Sequence, residues 1–472
     1  MALMLDLPMR RRGGLHHLLL LGILACTRPN PAVCCVSAAD CASIGVSDPL
    51  RSCAAGEVCS SDHTCAEPQC THDSDCNGAT PVCDTATQTC VGCLTGSDCS
   101  AAAPVCDTTS NTCVGCGSDT DCSSQVCDVD TGACVDQSVI IYAADNGSDS
   151  AVCSIDHPCS ITAAIAAITP SLNVLKLEPG TFHQALTIPV GLHLTIAATG
   201  ATIEPSNSDP GLSTQDSSNV RVIGLSIVAN NTNQVALNCN NDNGSVTSTL
   251  TVENANVESN FAAVESGPCM LSITRSRLHV DAGGLYIFVA SSGTTATIDR
   301  TEFSGASAML LNGGNSMVVT NSTFSNPSNP ADPAFINNGG LLQISFSTLY
   351  DTPIDCGSAS PDCSGSGKGI CFDNSIIFTD TPGAPADTMT GTACSSKDTL
   401  VFPQSTGITG TGNLLGENPL LVDPASGDFH LQATSPAVDA ADPAATDDHD
   451  FDGTKRPQGP RDDLGAFELT QP

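Results

Sequence analysis

The 472-residue sequence predicts an all-β protein: a solenoid of stacked parallel β-coils, preceded by a small disulfide-rich, loop-dominated repeat region. Three observations predict it. From Cys70 to Cys134, cysteines recur with a 23-residue period and almost no apolar periodicity accompanies them. After Gln137, short runs of Val, Ile, Leu and Thr alternate with clusters of Gly, Asn, Ser and Asp, the texture of many short strands. Within those runs a six-residue phrase, apolar-x-x-small-x-apolar, returns at steps of 21 to 30 residues, the loose period of a solenoid.

Composition narrows the possible functions. Fifty acidic residues against 15 basic ones give a formal charge of −35, which repels a phosphate backbone and excludes nucleic acid as a partner. Aromatic residues are 3% of the chain, too few for stacking platforms. Twenty-seven cysteines argue for an oxidising compartment rather than the cytosol.

The elements follow in order. Arg10 to Arg12 and the apolar run Leu15 to Ala25 form an export signal too short to span a membrane. Initiation at Met9 would give a cleaner signal, without Asp6 ahead of the arginines. The run ends Ile23-Leu24-Ala25-Cys26, which resembles the lipobox of bacterial lipoproteins. That resemblance implies a lipid on Cys26, with Thr27 directing the protein to the outer membrane. The alternative is an ordinary cleavable signal whose Cys26 is a structural thiol.

The repeats run Cys70, Cys76, Cys83, Cys90; then Cys93, Cys99, Cys106, Cys113; then Cys116, Cys122, Cys127, Cys134, the third copy being two residues shorter. A unit with so few large apolar side chains cannot bury a useful core, so disulfides must restrict its unfolded chain instead. With Cys26 lipidated, 18 cysteines remain up to Cys134, an even number. Their connectivity is open. The C-x2-C pairs Cys90/Cys93 and Cys113/Cys116 also admit zinc, but no histidine stands at a zinc spacing. The segment resembles the cysteine-rich repeats of myxobacterial-type surface lipoproteins, which implies a rigid spacer.

The phrase occurs at Val222–Ile227, Val252–Val257, Ile273–Leu278, Ile298–Phe303, Val319–Phe324, Ile344–Leu349 and Phe372–Ile377. Stacking such coils in parallel places equivalent residues about 4.8 Å apart. The apolar positions then form inner columns, the small residue between them relieves crowding, and Asn or Gly suits the bend. About ten coils would make a rod of about 50 Å. The opening Val139-Ile-Ile-Tyr-Ala-Ala-Asp-Asn-Gly-Ser-Asp, then Cys153, Pro158-Cys159 and Leu177-Glu-Pro-Gly-Thr-Phe, resembles the start of a right-handed parallel β-helix of the pectin-lyase-like type. That resemblance implies that the Ala-rich stretch Ile161–Ile168 is a helix capping the first coil. The tail, from Gly427-Asp-Phe-His-Leu through Asp452-Gly and Arg456-Pro to Asp463-Leu-Gly-Ala-Phe-Glu, resembles the end of choice-of-anchor Q surface proteins. The chain thus divides into a signal peptide (1–25), a lipidated cysteine-rich lead-in (26–69), cysteine repeats (70–137), a parallel β-helix (138–415) and a C-terminal cap (416–472).

The pectin-lyase-like resemblance also implies enzymes of acidic polysaccharides, whose lyases need carboxylates holding calcium and an Arg or Lys base. The repeat register gathers such residues on three neighbouring coils: Glu258, then Arg277, His279 and Asp281, then Glu302. The rival reading is a solvated mixed-charge face. Asp448, Asp450 and Asp452 with Gly453 match the first half of an EF-hand-like calcium loop, but its twelfth position is Gly459 rather than Glu. Asp447, Asp462 or Asp463 could complete it, or the loop could be a structural end-cap in which Arg456 pairs with one of these carboxylates. Of the eight cysteines in the body, Cys153 is expected to pair with Cys159 and Cys239 with Cys269, while Cys356, Cys363, Cys371 and Cys394 admit three pairings.

The expected protein is exported and lipid-anchored at the bacterial outer membrane or cell surface. It is expected to be non-catalytic and to bind extracellular polysaccharide, matrix or another surface protein. The loops Ser325–Asn337 and Asp351–Gly369 are its expected variable contacts. The alternatives are a lyase or hydrolase of acidic glycans and a structural spacer.

Overall fold

The computed structural model describes residues 58–59, 65–66, 69–149, 152–240, 248–281, 286–291, 293–305, 308–312, 315–325, 335–356, 361–363, 368–380, 389–390, 394–403, 409–445 and 447–470. The expected signal, Cys26 and the middles of the two expected contact loops lie outside these residues. No helix among the described residues is long and apolar enough to cross a membrane. The chain forms two compact units, divided between Gly115 and Cys116.

The first unit contains the first two cysteine repeats. In each, the first cysteine bonds the third and the second bonds the fourth: Cys70–Cys83 with Cys76–Cys90, then Cys93–Cys106 with Cys99–Cys113. The C-x2-C cysteines therefore belong to disulfides of different repeats. Short antiparallel hairpins, Val82–Asp84 with Thr89–Val91 and Val105–Asp107 with Thr112–Val114, carry two cysteines each. The repeated Asp-Cys word has a capping role. Asp75 accepts the amides of Thr71 and His72, and Asp98 those of Leu94 and Thr95. These bonds hold both carboxyls below the usual carboxylate range.

The second unit is a parallel β-helix. Its three parallel sheets have 12, 11 and 9 strands among the described residues. In the first sheet, Asn219–Ile223 pairs with Ser248–Glu253, then Cys269–Thr274, Thr295–Asp299, Ser316–Thr320, Leu341–Ser345 and Gly369–Asp373. The second sheet follows the bend, with Ser226–Ala229, Asn256–Ser259, Arg277–Val280, Glu302–Gly305, Thr323–Ser325, Thr348–Tyr350 and Ile376–Phe378 in register. Each sequence phrase thus spans one bend, and its two apolar ends stack in separate inner columns. Val222, Val252, Ile273, Ile298, Val319, Ile344 and Phe372 form one column, all buried. Ile227, Val257, Leu278, Phe303, Phe324, Leu349 and Ile377 form the other, with Phe303 and Phe324 stacked at 4.4 Å between ring centroids. The period-2 alternation of strands sends the remaining residues outward. The capping helix runs Ile161–Ala166 with Ser160 as its N-cap, and buries Ile161 and Ala164.

The bend itself differs from the expectation in two ways. The third residue of every phrase is left-handed, but Asn and Gly do not fill all such positions. Arg275, Arg300 and Phe346 have φ of 50°, 50° and 45°. Each is engaged by side-chain contacts outside the helix core: Arg275 with Glu253, Arg300 with the Phe451 carbonyl, and Phe346 beneath Arg456. The fourth residue is Leu225 rather than a small one in the first phrase, and where it is small it does more than relieve crowding. From Ser276 onward it builds a buried hydroxyl ladder. The amide of Ala255 donates to Ser276 Oγ, that of Thr301 to Ser322, that of Ser322 to Ser347, and that of Ser347 to Ser375. Each hydroxyl donates in turn to the carbonyl two residues before it, as Ser322 does at 2.7 Å and Ser347 at 2.8 Å. A tight bend leaves amides without strand partners, and buried amides must be satisfied; these hydroxyls satisfy them.

Two segments lie against the flank of the helix. The third cysteine repeat, closed by Cys116–Cys127 and Cys122–Cys134, packs Val126 onto the outward side chains Ile140, Tyr142 and Ala197. Asp119 meets Lys176 at 2.6 Å, Asp130 meets Arg221 at 2.5 Å, and the Tyr142 hydroxyl donates to the Ser124 carbonyl. Burial pushes the Tyr142 hydroxyl up to about 12. At the other end, residues 419–470 turn back along the second sheet. Leu421, Phe429, Leu431, Leu464 and Phe467 there join the outward-facing Tyr350, Ile376, Phe378 and Leu400 in a second apolar core.

Candidate functional site

The outward face of the second sheet carries the polar cluster. Strand register puts Arg277 between Asn256 and Glu302, and His279 between Glu258 and Ser304. Arg277 reaches Glu258 Oε1 and Glu302 Oε1, each at 3.3 Å, and Asn256 Oδ1 at 3.4 Å. His279 shares a 3.0 Å hydrogen bond with Ser304 through Nδ1, and its Nε2 is 3.4 Å from Asp281. The structure therefore brings all five residues, Glu258, Arg277, His279, Asp281 and Glu302, onto one face. Arginine stays charged at working pH, and both carboxylates turn toward it. The arginine and its two partners are about 40% exposed, at 38%, 41% and 39%, so each pair contributes roughly 0–1 kcal/mol. Guanidinium and carboxylates at this exposure can exchange these weak bonds for bonds to a ligand's hydroxyl or carboxylate groups.

The outward face of the first sheet carries hydroxyl side chains over the same coils, with Met270 exposed among them. Register lines up Thr251, Ser272 and Thr297, beside Thr249, Met270 and Thr295. At its ends the helix flank is covered instead. The third cysteine repeat covers the earliest strands of the first sheet, and the C-terminal segment covers the second sheet beyond Glu302. The polar face around Arg277 lies on coils that neither segment covers.

The three aspartates of the expected calcium loop do not converge. Asp450 is buried, with Oδ1 accepting the amide of Thr454 and Oδ2 that of Glu468. Asp452 turns to His430 Nε2 at 2.9 Å, and Asp448 turns to His449 Nδ1. An EF-hand-like loop would direct all three inward to one ion; here backbone amides and histidines hold them apart. Asp463 is likewise committed, accepting the amides of Asp439 and Leu469 at 2.7 Å each, and burial pushes its carboxyl up to about 6. Arg456 pairs with Glu468 at 3.0 Å, and with none of the aspartates weighed from the sequence. Its other donors reach the carbonyls of His449, Asp463 and Gly465. This buried arginine ties both ends of the tail motif together. Arg-Pro and the final Glu of the motif are therefore joined by a packing role.

In the body, Cys153 bonds Cys159, Cys239 bonds Cys269, Cys356 bonds Cys394 and Cys363 bonds Cys371. The lipid-anchor residue Cys26 lies outside the described residues. Sequence reasoning missed Asp299, Asn321 and His449, which meet between the helix and the C-terminal segment. The only signal for Asp299 was its place beside the phrase residue Ile298, next to a bend.

Register and topology define the second unit as a parallel β-helix. No family model matches the chain, and no curated protein matches it. Among solved structures, the chain is similar to the crystal structure of pectate lyase Pel9A, with 15% identity over 70% of this chain and 96% of that one, at a TM-score of 0.41. It is also similar to ORF18 of Geobacillus virus E2, with 12% identity over 58% of this chain and 60% of that one, at a TM-score of 0.38. A third is the tailspike protein 3 of bacteriophage CBA120, with 9% identity over 57% of this chain and 59% of that one, at a TM-score of 0.19.

Proposed function

We propose that this is an exported, lipid-anchored cell-surface protein that binds extracellular polysaccharide or matrix through the middle coils of its β-helix. One observation carries the binding reading: Glu258, Arg277 and Glu302, each about 40% exposed, form with Asn256 and His279 a polar face on middle coils that neither packed segment covers. Hydroxyl-rich ligands are recognised by such fixed carboxylates, amides and guanidinium groups. Disulfides in both units support an oxidising address. The apolar run Leu15 to Ala25 ahead of Cys26 supports export and lipidation. The non-catalytic reading is supported by Arg277, whose two carboxylate contacts make it an ion-pair centre rather than a base.

The test is electrophoresis of the full chain through gels cast with a panel of acidic and neutral polysaccharides. A retarded band without clearing is the expected result and identifies the ligand class. A cleared zone around the band overturns the non-catalytic reading in favour of a lyase or hydrolase. Free migration through every gel overturns polysaccharide binding.

A further inference from the structure

The third cysteine repeat meets the β-helix at a buried lysine. Of the four lysines in the sequence, Lys368, Lys397 and Lys455 are exposed, whereas Lys176 is 2% exposed. It lies outward on the strand Val174–Leu177, beneath the repeat rather than in the core of the helix. Register flanks it with Tyr142 on one neighbouring strand and Ala197 on the other, both buried. Its Nζ lies 2.6 Å from Asp119 Oδ2, and the Asp119 side chain is itself only 18% exposed. An amine held against a carboxyl group in a dry contact can stay an ion pair or lose water to become an amide.

Two observations favour the amide. The other oxygen of the same carboxylate is already held, since Asp119 Oδ1 accepts the amide of Cys127 at 3.0 Å. The repeat builds this contact by itself: at the same place in the first repeat, Asp73 Oδ1 accepts the amide of Cys83 at 2.8 Å. A backbone N–H at that oxygen stabilises the negative charge that develops there when an amine adds to the carbon. The second observation is a further carboxylate. Glu178 follows Lys176 by two residues, so both point outward, and its own amide continues the ladder to the Ala143 carbonyl. With its side-chain amide turned, Gln125 of the repeat donates to both Glu178 oxygens at 3.1 Å. Burial pushes the Glu178 carboxyl above its ordinary range; the Asp119 charge adds to the shift and Lys176 opposes it. A carboxyl so placed can take up a proton and return it.

We infer that Lys176 and Asp119 condense into an amide bond that joins the third repeat covalently to the flank of the β-helix, with Glu178 as the proton carrier. The ion pair docks the repeat first and sets the two groups in contact, which removes the entropic cost of bringing them together. One ammonium proton passes to Asp119 Oδ2. The Lys176 nitrogen then bonds to Asp119 Cγ, and Glu178 takes a second proton from it. Glu178 returns that proton to Oδ2, the Cγ–Oδ2 bond breaks, and Oδ2 leaves as water. The nitrogen keeps its third hydrogen, Oδ1 becomes the amide carbonyl on the Cys127 N–H, and Glu178 ends as it began. Only water is released, and no co-reactant is consumed. The bond does not depend on the polysaccharide-binding proposal, and its test involves no glycan.

The test digests the reduced, alkylated full chain with trypsin, which cuts after a free lysine and not after an amide-linked one. Mapping Cys116–Cys127 and Cys122–Cys134 in an unreduced sample shows that the repeat has folded. Wild type is expected to yield one peptide from residue 52 to residue 221, uncut at Lys176 and lighter than its sequence by one water. Lys176→Arg keeps a cation for Asp119 but has no amine, and is expected to be cut after residue 176 with no loss of water. Glu178→Gln keeps the shape and removes the proton carrier, and is expected to leave Lys176 free. Complete cutting after Lys176 in wild type with both disulfides in place would overturn the proposal. So would an amide that forms as fully in Glu178→Gln as in wild type.

Discussion

The third cysteine repeat and the C-terminal segment both lie against the β-helix, yet they are ordered by different means. The repeat is closed by two disulfides of its own, and it docks through Val126, two ion pairs and the hydrogen bond from the Tyr142 hydroxyl to the Ser124 carbonyl. The C-terminal segment has no disulfide among its described residues. Its order comes from the contact itself, through Leu421, Phe429, Leu431, Leu464 and Phe467 against the outward aromatics of the coils, and through the buried Arg456–Glu468 pair. A cross-linked element loses little entropy on docking, so a small interface is enough to hold it. An element without cross-links must offset its ordering entropy by burial. The helix presents unlike outward faces to match: Ile140, Tyr142 and Ala197 under the repeat, but Tyr350, Ile376, Phe378 and Leu400 under the C-terminal segment.

The largest predicted effect is on the side of the C-terminal segment. Arg456→Ala leaves Glu468 buried without a counter-charge and should cost about 3–5 kcal/mol, the usual result of breaking a buried pair. Chemical denaturation should report the loss, and the repeat's disulfides should remain formed. On the other side, Lys176→Met removes a charge-assisted bond of a lysine that is 2% exposed. It should loosen the repeat by about 1.5–3 kcal/mol. Hydrogen exchange at residues 140–142 should rise, while the repeat's own fold persists.

A smaller effect separates the two regions by pH. Burial opposes protonation of His430, but the hydrogen bonds it donates to Asp452 and Asp428 outweigh this and raise its pKa above the ordinary 6.5. A raised histidine pKa stabilises the fold below the unfolded value, and that stability is lost as pH rises through the folded value. Because the ring is half-exposed, the change should be below about 1 kcal/mol. Melting followed from pH 6 to pH 8 (roughly the span of histidine titration) should fall slightly in wild type and less in His430→Gln, where His449, raised in the same way by Asp299 and Asp448, still contributes. The smallest effect is at the uncovered face between the two segments. Arg277→Ala should change stability by less than about 1 kcal/mol, while weakening retardation in the polysaccharide gels.

The coils were legible because a repeat supplies its own alignment. Once Val252, Ile273 and Ile298 are recognised as one position, parallel register follows, and with it the grouping of Glu258, Arg277 and Glu302. The docking of the C-terminal segment was not legible. Phe429, Leu464 and Phe467 have no period, and their partners Tyr350 and Phe378 read in sequence as ordinary strand residues. The calcium pattern misled for a related reason: Asp450 is spaced like a ligand, but its partners are the amides of Thr454 and Glu468, and backbone amides leave no mark in sequence. Arg456 was recognisable as a pairing residue, and only tertiary structure could choose Glu468 over the nearer aspartates.

The most direct test of the account is hydrogen exchange, read by mass spectrometry, on the full chain before and after mild reduction. Residues 116–134 are expected to lose protection as their disulfides open, while residues 428–467 keep theirs. Loss of protection in both segments together would contradict it, as would a third repeat that stays protected after its disulfides are reduced.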